Sequence, residues 1–380
     1  MERYVNLLNL IGKSSHFLFG ARGTGKSYLI RMDLTKEAEL IDLLHSETYL
    51  RLNANPSNLE NMISSQNVVI DEIQRIPELL NEVHRLIENK KINFLLTGSS
   101  ARQLKRKGVN LLAGRALRAT LFPMTWKEIS KESNFNLEKY LHLGGLPKAY
   151  LEDIGLDYLY AYVDTYLKEE IQAEALVRNL ANYHRFLKAA AMSNSEVVNF
   201  SKIGNDAQLS PNTVRDYYQI LEDTLLGYML LPFKGCKRKA VSSPKFYLFD
   251  PGVANALLNV NSFNSHSDLF GKNFEQFLIN EVRAFLSYNN IREDISYWRT
   301  QSKSKLEVDL IIGHRIAIEI KSSERVSSRD HRGLKAISEE NDFTYLLLVS
   351  RDPSSQTFDT GIEHIYWESF LEKLWNNDFF

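Results

Sequence analysis

Residues Gly20 to Ser27 read Gly-Ala-Arg-Gly-Thr-Gly-Lys-Ser and follow the apolar run Phe17-Leu18-Phe19. Glycines at 20, 23 and 25 let a backbone curl tightly enough for successive N–H groups to point inward at phosphate oxygens. A helix starting near Lys26 adds the positive end of its dipole to the same point. The loop Gly20, Ala21, Arg22, Gly23, Thr24 and Gly25 is therefore expected to cradle the phosphates of ATP. Lys26 would reach the β- and γ-phosphates, and the Ser27 hydroxyl would coordinate Mg²⁺.

Asn67-Val68-Val69-Ile70 is a second apolar run, ending in Asp71-Glu72. A buried parallel strand reads this way, and its C-terminal end opens on the ligand crevice. Asp71 is expected to hold Mg²⁺, and Glu72 to orient and deprotonate the attacking water. A third run, Asn93 to Thr97, ends in Gly98-Ser99-Ser100. Thr97, Ser99 and Ser100 all offer a hydroxyl that could sense the γ-phosphate, and either serine could also cap a following helix. Arg115 and Arg118 flank the last candidate strand. One of them, with Arg115 favoured by the preceding Gly114, could reach a neighbouring copy's γ-phosphate in a homo-oligomer; a surface salt bridge is the other reading.

A second constellation lies near the C-terminus. Glu307-Val308-Asp309-Leu310-Ile311-Ile312 is followed by Ala317-Ile318-Glu319-Ile320-Lys321. Residues i and i+2 of a strand share a face, so Glu319 and Lys321 point the same way, with Asp309 offered from the neighbouring strand. Upstream, Gly271 to Glu275 opens a helix whose Glu275 could lean over the same spot. Carboxylates converging on one point repel unless a cation lies between them. Asp309 and Glu319 are expected to hold a divalent metal, with Lys321 lowering the cost of water activation. Solvated strand-edge acids paired with Lys321 or Arg315 are the alternative.

The elements that must position these residues are legible as an α/β pattern. Strands are expected at Phe17–Phe19, Thr48–Leu52, Val68–Asp71, Asn93–Thr97 and Leu117–Phe122, with helices between them, such as Pro77–Glu88. This is a parallel sheet covered on both sides, over residues 1–124. Residues 125–193 read as mainly helical, punctuated by Gly144-Gly145-Leu146-Pro147. Tyr158, Tyr160, Tyr162 and Tyr166 read as a packed helical face. Residues 194–250 read as a winged helix: helices at Val198–Gln208 and Asn212–Thr224, then strands at Gly227–Phe233 and Lys245–Phe249. Asn212, Thr213, Arg215 and Gln219 could face DNA bases, and Lys234, Lys237, Arg238 and Lys239 could grip phosphates. A protein-docking role for this unit is the other reading. Residues 251–380 form the last α/β unit, closing with a strand at Tyr345–Val349 and a helix rich in Trp367, Phe370, Leu371, Leu374 and Trp375.

Composition sets outer limits. The 380 residues carry a net charge of −1, so DNA binding must come from local patches rather than a basic coat. A single cysteine, Cys236, excludes an intramolecular disulfide framework and a cysteine-based zinc cluster. No apolar run is long enough for a bilayer, and Met1 to Lys13 lacks a signal-peptide pattern, so no membrane partner and a cytoplasmic location are expected.

Two resemblances follow from these motifs. The pattern Asp309…Glu319-Ile320-Lys321 with an upstream helical Glu275 resembles the PD-(D/E)xK nuclease core, although Val308 stands where a proline often precedes the aspartate. The whole chain also resembles a prokaryotic family that joins an AAA+-like ATPase to a winged helix and a C-terminal nuclease-like domain. The matching pieces run in order through Gly20–Ser27, Val68–Gln74, Leu95–Ser100, Leu112–Ala116, Gly144–Pro147, Leu221–Leu226, Phe249–Ala254 and Tyr297–Lys321. The resemblance implies a P-loop NTPase sheet, a helical and winged-helix middle and a restriction-endonuclease-like C-terminal domain. It implies ATP binding and little about the biological role; the residues themselves point to a Mg²⁺-dependent ATPase acting on DNA, with a nucleotide-dependent switch that binds a protein partner as the alternative.

Overall fold

The computed structural model describes residues 2–98, 112–166, 179–262, 264–301, 306–358 and 361–380. Short apolar runs supply the N-terminal sheet: β1 (Ser15–Phe19), β2 (Glu39–Asp42), β3 (Asn67–Asp71), β4 (Asn93–Gly98) and β5 (Ala116–Thr120). The order is β2-β3-β4-β1-β5, and every pairing is parallel. Val68, Val69 and Ile70 are fully buried, as a strand covered on both faces requires. Helices α1 (Leu7–Ile11), α2 (Lys26–Leu34), α3 (Ser46–Ala54), α4 (Asn58–Met62) and α5 (Leu79–Lys90) belong to this module. Since all strands run the same way, their C-terminal ends share one edge.

One expected strand is a helix. Thr48–Leu52 lies inside α3, and the edge position beside β3 is taken by Glu39–Asp42 instead. The alternation of apolar residues there is misleading, because Leu52 is buried while Leu50 is 64% exposed. Only one side of the segment meets the core, as suits a surface helix rather than a strand within the sheet.

The middle of the chain is helical: α6 (Trp126–Glu132), α7 (Leu137–Leu143), α8 (Pro147–Leu151), α9 (Gly155–Ala161), α10 (Leu180–Met192), α11 (Phe200–Ala207) and α12 (Pro211–Asp223). Thr125 and Glu128 form a reciprocal capping box at the start of α6. A short β6 (Glu196–Val197), β7 (Gly227–Pro232) and β8 (Lys245–Leu248) follow, then α13 (Pro251–Leu257) and the long α14 (Asp268–Tyr288). The remainder comprises β9 (Ile295–Arg299), β10 (Glu307–Ile312), β11 (Ile316–Lys321), α15 (Arg332–Ser338), β12 (Tyr345–Ser350), β13 (Gln356–Thr357), β14 (Glu363–Tyr366) and α16 (Trp367–Trp375).

Among the described residues these later strands form one sheet, in the order β13-β14-β12-β11-β10-β9-β7-β8-β6. The join is β7. Its beginning pairs with β8, and its end runs parallel to β9, with Leu231 opposite Ser296. The loop after β7 lies along β9. Phe233 donates to the Tyr297 carbonyl, Val241 to Arg299 and Gln301 to Lys239. Free backbone groups at the edge of β9 recruit the loop, as unpaired strand edges do. Among the described residues no helix is long and apolar enough to cross a membrane.

The aromatic face of α16 is core: Trp367, Phe370, Leu371, Leu374 and Trp375 are all buried. Trp375 also anchors a polar joint. Glu281 on α14 accepts from the Trp126 backbone N–H at 2.7 Å and from Trp375 Nε1 at 2.8 Å. Burial pushes the Glu281 carboxyl up to about 8, against the pull of those two donors. The folded chain therefore holds this proton more tightly than the unfolded one. The associated stability is complete below the ordinary glutamate range and is lost as pH rises through about 8, an effect on the order of 4 kcal/mol at full burial. Urea unfolding at pH 5 and pH 8.5 is expected to show this fall. Glu281→Gln should flatten it while lowering stability at pH 5, because an amide NH₂ must then face one of the two N–H donors. An unchanged pH dependence in the variant would remove Glu281 as its source.

Candidate functional site

The phosphate loop links β1 to α2, at the shared C-terminal edge of the first sheet. Gly23 and Gly25 take φ of 83° and 95°, which side chains with a Cβ rarely adopt. Gly25 forms the N-cap of α2, so the first helical residue is Lys26. This lysine is 7% exposed, and its ammonium group donates back to the carbonyls of Gly20 (2.7 Å) and Ala21 (3.3 Å). Thr24 Oγ1 donates to the Ala21 carbonyl and closes the turn from within.

Four expected residues come together here. Ser27 Oγ donates to Asp71 Oδ2 at 2.8 Å. Thr97 Oγ1 donates to the other carboxylate oxygen of Asp71 and accepts from the Glu72 backbone N–H at 3.1 Å. Sheet order explains this. Strand β4 lies between β1 and β3, and Thr97 pairs with Leu18 of β1. Thr97 thus stands between the phosphate loop and the acids, fully buried. Of the three candidate hydroxyls Thr97 makes this contact; Ser99 and Ser100 lie outside the described residues. Glu72 follows the end of β3 at φ 62°, a left-handed conformation that lifts its side chain out of the strand path.

Arg115 is elsewhere. It precedes β5, whose Ala116 pairs with Ser15 at the start of β1, so it sits on the opposite edge of the sheet and pairs with Glu88. Within one chain it does not approach the phosphate loop. Arg118 lies with its guanidinium 5.2 Å from the centre of the Phe19 ring.

Several residues that sequence reasoning passed over brace the loop. Arg3 Nη1 donates to the Thr24 carbonyl at 2.7 Å, Nη2 to the Phe122 carbonyl at 2.6 Å, and Nε to Glu128 at 2.9 Å. Burial works against the charge on Arg3, but Glu128 and Tyr288 hold its pKa above the usual range. Tyr162 donates from its hydroxyl to the Arg22 carbonyl at 3.0 Å. The tyrosine run signalled helix packing, and the structure makes it a brace for the loop. A lone arginine near the N-terminus carries no comparable signal. Gly144-Gly145 and Phe249-Asp250-Pro251-Gly252 prove to be two halves of one joint. Asp250 accepts from the N–H groups of Gly145 (2.8 Å) and Val253 (3.1 Å). A Cβ on Gly144 would lie 1.9 Å from the Asp250 carboxylate.

The C-terminal acids also converge, but around a different cation. Lys245 on β8 is buried, and its Nζ lies 2.6 Å from Glu307, 3.0 Å from Glu275 and 3.5 Å from Asp309. Tyr247, on the same face of β8, donates to Glu275. Lys321 pairs with Glu319 and stands 4.0 Å from Asp309. Asp309 accepts the Ile320 backbone N–H at 2.9 Å. Burial opposes the charge on Lys245, and Glu275, Tyr247, Asp309 and Glu307 together outweigh it, so its pKa lies well above the lysine range. Burial, followed by the nearby Asp309, lifts Glu319 well above the carboxylate range.

Among the described residues no group of three His, Cys, Asp or Glu side chains is arranged to hold a metal. Asp309 and Glu319, the pair expected to hold a divalent ion, lie in this cluster, where Lys321 pairs with Glu319 and Lys245 with Asp309. Clustered acids need a positive charge between them, and an ammonium group supplies it. Lys245 and Glu307 were missed as partners. The available signal was the i, i+2 pair Lys245 and Tyr247, but nothing in the sequence aims β8 at β10.

The residues expected to meet DNA divide. Asn212, Arg215 and Gln219 are exposed on α12. Arg215 bonds to Asn212 and lies 4.9 Å over Phe200, and Gln219 bonds to Asp223. Lys234, Lys237 and Lys239 are exposed, whereas Arg238 is tied to Glu339, Glu340 and the Ala336 carbonyl.

Residues 13–130 match a family model described as an AAA domain. Residues 134–264 and 270–370 match two models described as domains of unknown function, DUF8612 and DUF4143. An uncharacterized protein of Methanocaldococcus jannaschii is 25% identical over 338 residues, covering 80% of this chain and 73% of that protein. An uncharacterized protein of Haemophilus influenzae is 26% identical over 215 residues, covering 51% of this chain and 54% of that protein. A crystal structure of protein VC1899 from Vibrio cholerae aligns over 96% of both chains at 11% identity, but its TM-score of 0.24 establishes no shared fold. The N-terminal module is thus similar to nucleotide-binding, ATPase-like domains, and the relatives are uncharacterised prokaryotic proteins.

Proposed function

We propose that the chain binds and hydrolyses ATP, and that the nucleotide state controls how the helical middle and the C-terminal sheet present themselves to a partner. The observation that carries this reading is the junction of Ser27, Asp71, Thr97 and Glu72 at the mouth of a glycine-rich loop. Ser27 Oγ and Asp71 Oδ2 touch at 2.8 Å and form a hard-oxygen pair suited to Mg²⁺, which would bridge and neutralise the phosphate oxygens when bound. Lys26 exchanges the Gly20 carbonyl for the β- and γ-phosphates. Glu72 orients and deprotonates water, and Thr97 links the γ-phosphate side of the site to Asp71. The braces from Arg3 and Tyr162 give the loop a path to the helical middle.

In this reading α11, α12 and the β7–β8 pair form a winged-helix unit, and the C-terminal sheet is a PD-(D/E)xK nuclease-like unit with Glu275, Asp309, Glu319 and Lys321 as its acids and lysine. A nucleotide-dependent switch suits this better than a nuclease, because Lys245 already neutralises the acids. DNA contact is a second reading, favoured by the exposed Asn212, Arg215, Gln219, Lys234, Lys237 and Lys239.

Lys26→Ala should abolish ATP turnover, measured as phosphate release in Mg²⁺; unchanged turnover would remove the phosphate-loop assignment. Glu72→Gln should retain ATP binding and slow hydrolysis about a hundredfold or more, as loss of a general base requires. Equal rates for both proteins would rule Glu72 out as that base. For the second reading, duplex DNA affinity should fall steeply between 50 and 200 mM salt, by at least roughly tenfold even for a few phosphate contacts. No measurable affinity at low salt would leave a protein as the partner.

A further inference from the structure

The Glu72 side chain is gripped by a neighbour from its own turn. Gln74 donates from its side-chain amide nitrogen to Glu72 Oε2. An ionised carboxylate only accepts, so the NH₂ end of the amide is the end that faces it. Residues two apart do not meet along a regular helix. On a strand they share a face, but β3 ends at Asp71, and a 3₁₀ turn occupies Ile73–Arg75. Glu72 sits between strand and turn at φ 62° and ψ 45°. That left-handed step folds the turn back on the strand end, where the Gln74 amide meets the Glu72 carboxylate.

A residue other than glycine keeps such a backbone only where its surroundings fix it. The Glu72 N–H donates to Thr97 Oγ1 at 3.1 Å, which ties it to β4. The Arg75 N–H closes the turn on the Glu72 carbonyl at 3.0 Å. Ile73 and Ile76 are buried and root the turn in the core of the first sheet. Arg75 reaches outward to the Leu43 carbonyl at 2.5 Å and lies 4.7 Å over the Tyr49 ring. The backbone of Glu72 is thus fixed by strand, turn and core together. Its side chain has rotatable bonds of its own, and the Gln74 amide is a contact that restricts them. A general base must hold its carboxylate within hydrogen-bond reach of the water it deprotonates, and small misplacements cost large factors in rate.

We propose, on the ATPase reading of this site, that Gln74 is a positioning residue for hydrolysis: its amide holds the Glu72 carboxylate in the rotamer that meets the attacking water. Gln74 acts through Glu72 and touches neither nucleotide nor water in this role.

The test is phosphate release by the full-length chain over a range of MgATP, with binding of a fluorescent ATP analogue measured beside it. Gln74→Ala is expected to lower kcat about ten- to a hundredfold. KM and analogue affinity should stay within about twofold of wild type, as loss of an interaction made only in the transition state requires. Gln74→Met keeps the length and volume of the side chain but has no N–H, and it should lose as much. In a Glu72→Gln chain, Gln74→Ala should slow the residual rate no further. A Gln74→Met chain with the wild-type rate would overturn the proposal, because packing and not the donor would then be the role of Gln74. Equal losses from Gln74→Ala in the wild-type and Glu72→Gln chains would also overturn it, since the residue would then act independently of the base. Should Gln74→Ala fold poorly, Gln74→Met carries the comparison. Normal turnover by Gln74→Ala beside an inactive Lys26→Ala would sink this inference alone. Wild-type turnover no greater than that of Lys26→Ala would sink the ATPase reading and this inference with it.

Discussion

Nζ of Lys245 lies within 3.5 Å of oxygens from Glu275, Glu307 and Asp309, and the lysine itself is buried. Each of these charges would be costly to bury alone, and removing one partner from such a cluster typically costs about 3–5 kcal/mol. The contact fixes β8 against α14 and β10 at once. Since β8 also forms a wall of the helical core, the position of the middle helices follows from it. The continuous sheet from β6 to β13 depends on the same seat, because β7 must reach β9 while still paired with β8.

The nucleotide module is joined to the rest by similar buried polar contacts rather than by a free linker. Arg3 ties the Thr24 carbonyl to Glu128 of α6. The α6 backbone in turn donates to Glu281 of α14, which also holds Trp375. Asp250 joins the turn before α8 to the start of α13. Each joint has its donors and acceptors matched, and matched buried groups favour one arrangement over its neighbours. A movement beginning at the phosphate loop would act on Arg3 and Tyr162 first, and through them on the helices that carry β8.

Much of the architecture is readable because local chemistry and global position agree. Val68 to Asp71 is apolar until it reaches the ligand edge, and it becomes a central strand with its acids at that edge. Glu307 to Ile312 and Ile316 to Lys321 likewise pair antiparallel across a tight connection. Thr48–Leu52 fails as a strand because alternation over a few residues does not reveal which side meets the core. The pairing of the β7–β8 loop with β9 is not legible locally, because that edge lies far along the chain.

The sequence by itself determined where the glycine-rich turn and its helix start would form and which acids would gather, since glycine freedom, side-chain charge and strand alternation act over a few residues. Only the tertiary structure decided how those groups are satisfied. The insertion of β4 between β1 and β3 brings Thr97 against Asp71 beside Ser27. The turn of β8 toward α14 brings the Lys245 ammonium group among Glu275, Glu307 and Asp309. Both outcomes depend on contacts between segments distant in sequence, and local spacing carries no record of which distant charge will arrive.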